Sequence, residues 1–255
     1  MNDVSLSTSI RAIPVIVRIT LRQLLGRRRT ILLLLLSALP ILLAVIFRAA
    51  GQSDVDRFAR NVLDAFAVTI LLPIVAVLFG TAAFGAEIED GTIVYLLAKP
   101  ISRWAVIVAK LIGAALVTAL LTIVSVVAAG LVALAGTGGN GMDAIVGFVA
   151  AMAVGSLCYV SFFLALSLYT RRALMAGIFY FLIWEGVLSS LLSGIANFSI
   201  RQYSLGTVRA FFPLDPEEAR LSPSTALPLA AILIVVALAL ATRKLMRFET
   251  SGDSD

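Results

Sequence analysis

The sequence predicts an all-α integral membrane protein. It has six transmembrane helices, an N-terminal amphipathic helix in the membrane interface, and a short cytoplasmic helix between spans two and three. Three observations carry this reading. Apolar residues make up 60% of the 255 residues and charged residues only 14%, far below the charge content of a soluble domain. The apolar residues fall in runs long enough to cross a bilayer core, which takes roughly 20 residues. Lys and Arg gather at the ends of those runs, as they do beside membrane spans.

Composition also excludes. The chain has no His, which removes zinc–histidine sites and Ser-His-Asp triads; neither a catalytic set nor a metal site is expected. The single Cys158 lies inside an apolar run, so there is no disulfide framework. The pI of 9.8 is accounted for by the basic flanks, which point to membrane lipids as partners rather than nucleic acid. No cleavable signal is evident, because residues 1–9 are largely polar and no small-residue cleavage site follows the first apolar run.

The elements follow in chain order. Residues 1–29 form a cytoplasmic N-terminus. Within it, Ile10, Ile13, Val17, Leu21 and Leu24 recur at helical spacing while Arg11, Arg18 and Arg22 share another stripe. That pattern suits a basic amphipathic helix lying flat on the membrane. Val15 and Ile19 fall off the apolar stripe, and Pro14 marks a helix start or a kink. The six-span domain covers 30–242. Its first span, 30–50, contains Pro40, and a short charged loop over 51–64 follows. The second span is 65–86, with Ala76 and Gly80 at small-xxx-small spacing. The third, 104–135, is longer than the bilayer requires, so it tilts or projects; Trp104 at its start is an interface anchor. The fourth, 144–169, carries Gly147, Ala151 and Gly155 four apart, a close-packing stripe. Arg171 and Arg172 make a tight turn into the fifth span, 173–195. The connection 196–224 holds Pro213, Pro216 and Pro223 and has room for short re-entrant or surface helices. The last span is 225–242, and 243–255 is a polar cytoplasmic tail.

Orientation follows from the basic residues. With both termini in the cytoplasm, only Arg48, Arg57, Arg60, Arg201, Arg209 and Arg220 of the 20 Lys and Arg fall outside. The opposite orientation inverts that ratio.

The most punctuated stretch is Glu87-Ile88-Glu89-Asp90-Gly91-Thr92, an apolar turn through Leu96, then Lys99-Pro100-Ile101-Ser102-Arg103. Gly91 is suited to end a helix. Thr92 is suited to cap a short new one. Pro100 stops it, and Ser102 is placed to cap the next. A short helix between two spans, charged at its ends and apolar in the middle, is a docking knob for a soluble partner. The alternative is an ordinary solvated loop.

This stretch, together with the downstream Lys110, resembles the cytoplasmic loop of the permease subunits of type-2 ABC exporters, which move drugs, lipids or polysaccharides. The resemblance implies that Glu87, Glu89, Asp90, Gly91, Thr92, Leu96, Lys99, Pro100 and Arg103 form or flank a coupling helix against an ATPase subunit. It implies two ATPase copies, with ATP and Mg on them and no cofactor on this chain, and a second permease subunit, the same or different. It also implies a bacterial or archaeal cytoplasmic membrane, an N-terminal connecting helix, and alternating access for a lipophilic or amphiphilic substrate. No nucleotide site is visible in this chain. Gly80 to Gly85 has phosphate-loop glycine spacing, but Ala86-Glu87 stands where Lys and Ser/Thr are needed.

Glu185 is the outlier, an ionisable residue within the fifth span. Such a group costs roughly 2.5 kcal/mol or more and faces protein interior or water. The Trp184-Glu185-Gly186 run resembles the same span of such permeases. Two readings stand. Glu185 and Trp184 line the pathway or gate, with Glu185 toward the dimer side or the cavity beneath the outer gate and Arg48 as nearest cation by depth, or Glu185 is a structural hydrogen-bond partner within one subunit. Other functional classes are a proton- or ion-coupled secondary transporter using Glu185 and a non-transporting membrane scaffold.

Overall fold

The computed structural model describes residues 2–25, 28–52, 54–89, 102–135, 141–170, 172–188, 193–215 and 217–250. Among them there is no strand. Helix α1 is Asn2–Leu25 and α2 is Arg28–Ala49. Helix α3 (Val55–Phe58) passes directly into a π-helical stretch, Ala59–Leu71, and then into α4 (Leu72–Glu89). Helix α5 is Arg103–Ala133 and α6 is Met142–Tyr169. Helix α7 (Ala173–Phe179) continues as a second π-helical stretch, Tyr180–Leu188. A 3-10 turn over Ser193–Phe198 leads into α8 (Ile200–Val208), and α9 is Pro223–Thr250.

Five of the described helices are long and apolar enough to cross a membrane: Thr30–Ala49, Val55–Gly85, Arg103–Ala133, Met142–Tyr169 and Pro223–Met246. In the region expected as the fifth span, the apolar helix is shorter, Ala173–Val187. Two other boundaries differ from expectation. The charged loop after α2 is short, because helix resumes at Val55 with Asp54 accepting from the Arg57 N–H as N-cap. Helix α9 runs on through the basic residues to Thr250, into the expected tail.

Helix α6 is the centre of the bundle. Phe148, Met152, Cys158, Tyr159, Val160, Phe163 and Leu164 are all fully buried, with α4, α5, α8 and α9 around them. Its glycines let neighbours approach closely. A Cβ on Gly147 would meet Val208, and one on Gly155 would meet Leu72 and Ser204. The small-residue stripe expected on this helix therefore packs α8. On α4, Gly80 serves the same purpose, abutting Phe163; its role is helix packing.

Helix α1 lies against α5. Thr20 is buried beside Gly113, with Ile16, Leu21 and Leu24 on the same face, and Arg18 and Arg22 are exposed. Val15 and Ile19, which broke the apolar stripe, are 59% and 50% exposed. Helix α2 is tied to α5 by Ser125, whose hydroxyl donates to the Ser37 carbonyl at 2.5 Å. Elsewhere α2 presents Ile31, Leu32 and Leu35 outward, as a lipid-facing or subunit-facing helix does.

Candidate functional site

Among the described residues, two polar centres lie in this apolar bundle. The first is where α4 ends and α5 begins. Asp90, Gly91, Thr92, Leu96, Lys99 and Pro100 lie outside the described residues. Glu89 is the last residue of α4 and Arg103 the first of α5. Ser102 occupies the N-cap position, but its hydroxyl makes no capping bond; its carbonyl accepts from the N–H groups of Ala105 and Val106.

Two turns into α5, Lys110 is 1% exposed. Its Nζ donates to Glu87 Oε1 at 2.7 Å and to the Ala83 carbonyl, and stands 4.7 Å from the centre of the Phe84 ring. An ammonium this deep is tolerable only with a close counter-charge. Near the C-terminal end of α4 it also meets the negative end of that helix. The pair fixes the last turns of α4 to α5 at the start of the segment that joins them.

The second centre surrounds Glu185, which is 4% exposed. Its Oε2 accepts from the Ser199 hydroxyl at 2.6 Å. Its Oε1 accepts from the N–H of Ile200 at 2.8 Å, the N–H of Arg201 at 3.4 Å and the Tyr180 hydroxyl at 3.5 Å. The buried Tyr159 hydroxyl faces the same carboxyl. Glu185 thus sits on the N-terminus of α8, where orphan N–H groups and the helix dipole favour an anion. Ser199 caps the same helix, accepting from the Gln202 N–H at 3.3 Å.

That N-terminus lies deep in the bundle. Val208 meets Gly147 and Ser204 meets Gly155, so α8 runs antiparallel to α6. Its first residue therefore stands near the level of Tyr159, midway along α6. The segment after α7 rises to this level from one end, and α8 carries the chain from there to the other.

One side chain over, Arg201 spans from α8 to the stretch before α4. Its NH2 donates to both Asp64 oxygens, at 2.8 and 2.9 Å, and its Nε donates to the Thr69 hydroxyl at 2.7 Å. Asp64, expected at the end of a loop, is a helical residue only 4% exposed. The cation at this centre is therefore Arg201 rather than Arg48.

The π-helical winding explains these neighbours. Its hydrogen bonds span five residues, so positions i and i+5 stack on one face. Thr69 meets Asp64 at 3.4 Å and Tyr180 meets Glu185 at 3.5 Å, each five residues apart. An α-helix would turn those pairs away from each other. Trp184 faces elsewhere. Its Nε1 donates to the Phe198 carbonyl at 3.2 Å and its ring stacks beside Tyr180.

Above this centre the connection to α9 is folded back on α8. Gln202 donates to the Glu218 carbonyl and accepts from the Arg220 N–H. Arg209 donates to the carbonyls of Ala219 and Leu221, and Arg60 pairs with Asp215 at 3.3 Å. Burial raises the Glu218 carboxyl above its ordinary range, Asp64 adds to the rise, and Arg60 opposes it.

Glu87, Lys110 and Glu185 were legible in the sequence. Asp64, Thr69, Ser199 and Arg201 were not. The one available signal was Asp64 beside an otherwise apolar run.

Residues 15–252 match a protein family described as ABC-2 family transporter protein. No curated protein matches the chain. A match over nearly the whole length, on a bundle of long apolar helices, shows that the chain belongs to the ABC-2 transporter family, as a membrane-embedded permease whose ATPase is a separate polypeptide.

Proposed function

We propose that this permease is half of an ATP-driven exporter, working as a dimer, identical or mixed, with two ATPase subunits that carry the ATP and Mg. The segment 87–103 docks on the ATPase through a short coupling helix. The Glu87–Lys110 pair carries this reading, because it joins α4 and α5 at the root of the docking segment. Force delivered there by ATPase closure moves both helices together instead of bending one loop.

Six crossings complete the layout, with 173–195 rising as the fifth and both termini in the cytoplasm of a bacterial or archaeal cell. Helix α1 lies in the cytoplasmic interface. Support comes from the Arg distribution and from the exposed Val15 and Ile19 beside a buried face, which suit a helix half-sunk among lipid headgroups. Deeper in the bundle, Glu185 acts on the gate indirectly. By holding the N-terminus of α8 at mid-depth it fixes where the outer lid of the pathway sits, with Trp184 bracing the 3-10 turn beside it. The apolar walls favour a lipophilic or amphiphilic substrate, moved by alternating access.

The test is co-purification with the ATPase followed by Gly91→Val. A β-branched residue would disfavour the left-handed conformation that the docking reading requires of Gly91. ATP hydrolysis should lose its stimulation by transport substrate while the permease dimer still assembles. Wild-type hydrolysis and transport in Gly91→Val would refute the docking.

A further inference from the structure

The connection between α8 and α9 turns back and lies along α8. The approach is close, because a Cβ on Gly206 would meet Ala226 and the Leu221 carbonyl. Ala219 and Leu221 are buried. Side chains of α8 and its C-cap pin the backbone on both sides of Glu218. The Gln202 amide donates to the Glu218 carbonyl at 3.1 Å and accepts from the Arg220 N–H at 2.9 Å, and Arg209 donates to the Ala219 carbonyl at 3.0 Å. These bonds hold the Glu218 side chain against the bundle, where it is 23% exposed.

That side chain is poorly matched to a charge. Its Oε2 is buried and accepts no hydrogen bond among the described residues. Its Oε1 faces the Arg60 Nε at 3.9 Å, beyond hydrogen-bond distance. Arg60 is shared, and its NH1 stands closer to Asp215, at 3.3 Å. Arg201 turns to Asp64 at 2.8 Å, and Arg209 is engaged by the carbonyls of Ala219 and Leu221. The charges bearing on Glu218 are thus Asp64 and Arg60 from the π-helical stretch before α4, Arg201 from α8, and Asp215 from its own segment. Two carboxylates stand against two guanidiniums, and burial tips the balance. An ionised carboxylate oxygen buried without a donor carries its desolvation penalty; a neutral carboxyl carries far less.

We propose that the folded-back connection is a proton-sensitive latch, held on α8 while Glu218 is a neutral acid and loosened when Glu218 ionises. Burial raises the Glu218 carboxyl above its ordinary range; Asp64 adds to the rise, Arg60 opposes it, Asp215 adds and Arg201 opposes. The hold is therefore complete below the ordinary carboxyl range and is lost as pH climbs through the raised value. On the proposed orientation this face is external, so the latch reads the pH outside the cell. The latch itself rests neither on that orientation nor on the ATPase.

The experiment is hydrogen exchange by mass spectrometry on the full-length chain in detergent at pH values from 5 to 8, corrected for the intrinsic exchange rate. A peptide over residues 217–222 reports the latch, and peptides of α6 report the bundle. Wild-type protection over 217–222 should fall by roughly threefold or more from pH 5 to pH 8, with α6 unchanged. Glu218→Gln, neutral throughout, should stay protected at every pH. Asp215→Asn, at a position 65% exposed, removes a carboxylate that opposes ionisation of Glu218 and leaves Arg60 to it. Loosening should then begin at lower pH than in wild type. Equal wild-type protection across the range, a Glu218→Gln chain that still loosens, or an Asp215→Asn midpoint that stays in place or moves up would overturn the proposal. So would a loss of protection that spreads into α6, since the whole bundle rather than the latch would then be responding.

Discussion

The carboxylates of Glu87 and Glu185 are both withdrawn from water, and the chain satisfies them in opposite ways. Glu87 meets a full positive charge, Lys110, held rigidly on the next helix. Glu185 meets dipoles: a hydroxyl, two backbone N–H groups and the start of α8. Its nearest cation, Arg201, turns its side chain to Asp64. An ion pair between two long helices resists shear, because either partner moving alone leaves a buried charge. A carboxylate on a helix N-terminus instead places a short element and fixes its depth. On the proposed coupling, the first arrangement suits force transmission where α4 meets α5, and the second suits positioning at mid-depth.

The largest expected effect comes from breaking the charge pair beside the dipolar site. Arg201→Met leaves Asp64 buried without a cation and should cost about 3–5 kcal/mol, read as loss of the monodisperse peak on heating in detergent. Adding Asp64→Leu should restore most of that stability. If the double variant is as weak as the single one, the pair is not what holds α8 to the stretch before α4.

Next is the pair where α4 meets α5. Lys110→Met should destabilise by roughly 3 kcal/mol, since it takes the buried counter-charge away from Glu87. Lys110→Met/Glu87→Gln should recover near wild-type thermal stability yet remain poor at substrate-stimulated ATP hydrolysis. Recovery of both properties would make the pair a packing device only and erase the contrast drawn above.

The smallest effect should come from Glu185→Gln. The amide oxygen still accepts from Ile200, so the loss is about 1 kcal/mol, with transport largely kept. Glu185→Ala removes every acceptor and should lower both stability and transport while the dimer still forms. Transport abolished by Gln alone, with ATP hydrolysis intact, would instead make the proton on Glu185 part of the mechanism.

The helical runs could be read from the sequence because their signal is local, an unbroken apolar stretch with basic flanks. The Glu87–Lys110 relation was half-visible, both residues standing out from apolar surroundings on either side of a punctuated loop. The α8 centre was opaque for two physical reasons. Its partners come from segments far apart in the chain, as with Asp64 and Arg201. And the π-helical winding changes the spacing that matters from four residues to five, so Asp64–Thr69 and Tyr180–Glu185 do not register in a 3.6-residue pattern. Arg201, counted as an ordinary flanking charge, is in fact inserted into the bundle.

The Asp64–Arg201 pair also has a history in time. The two residues are 137 positions apart. At roughly 5–20 residues per second, the ribosome finishes Arg201 roughly seven to twenty-seven seconds after Asp64. For that interval the Asp64 carboxyl lacks the Arg201 guanidinium that meets it in the finished bundle. Thr69, made within a second of it, is its local companion. That contact is completed only when α8 arrives. Completion of this part of the bundle is timed by its next-to-last helix, and a chain cut short before residue 201 lacks the guanidinium that holds Asp64.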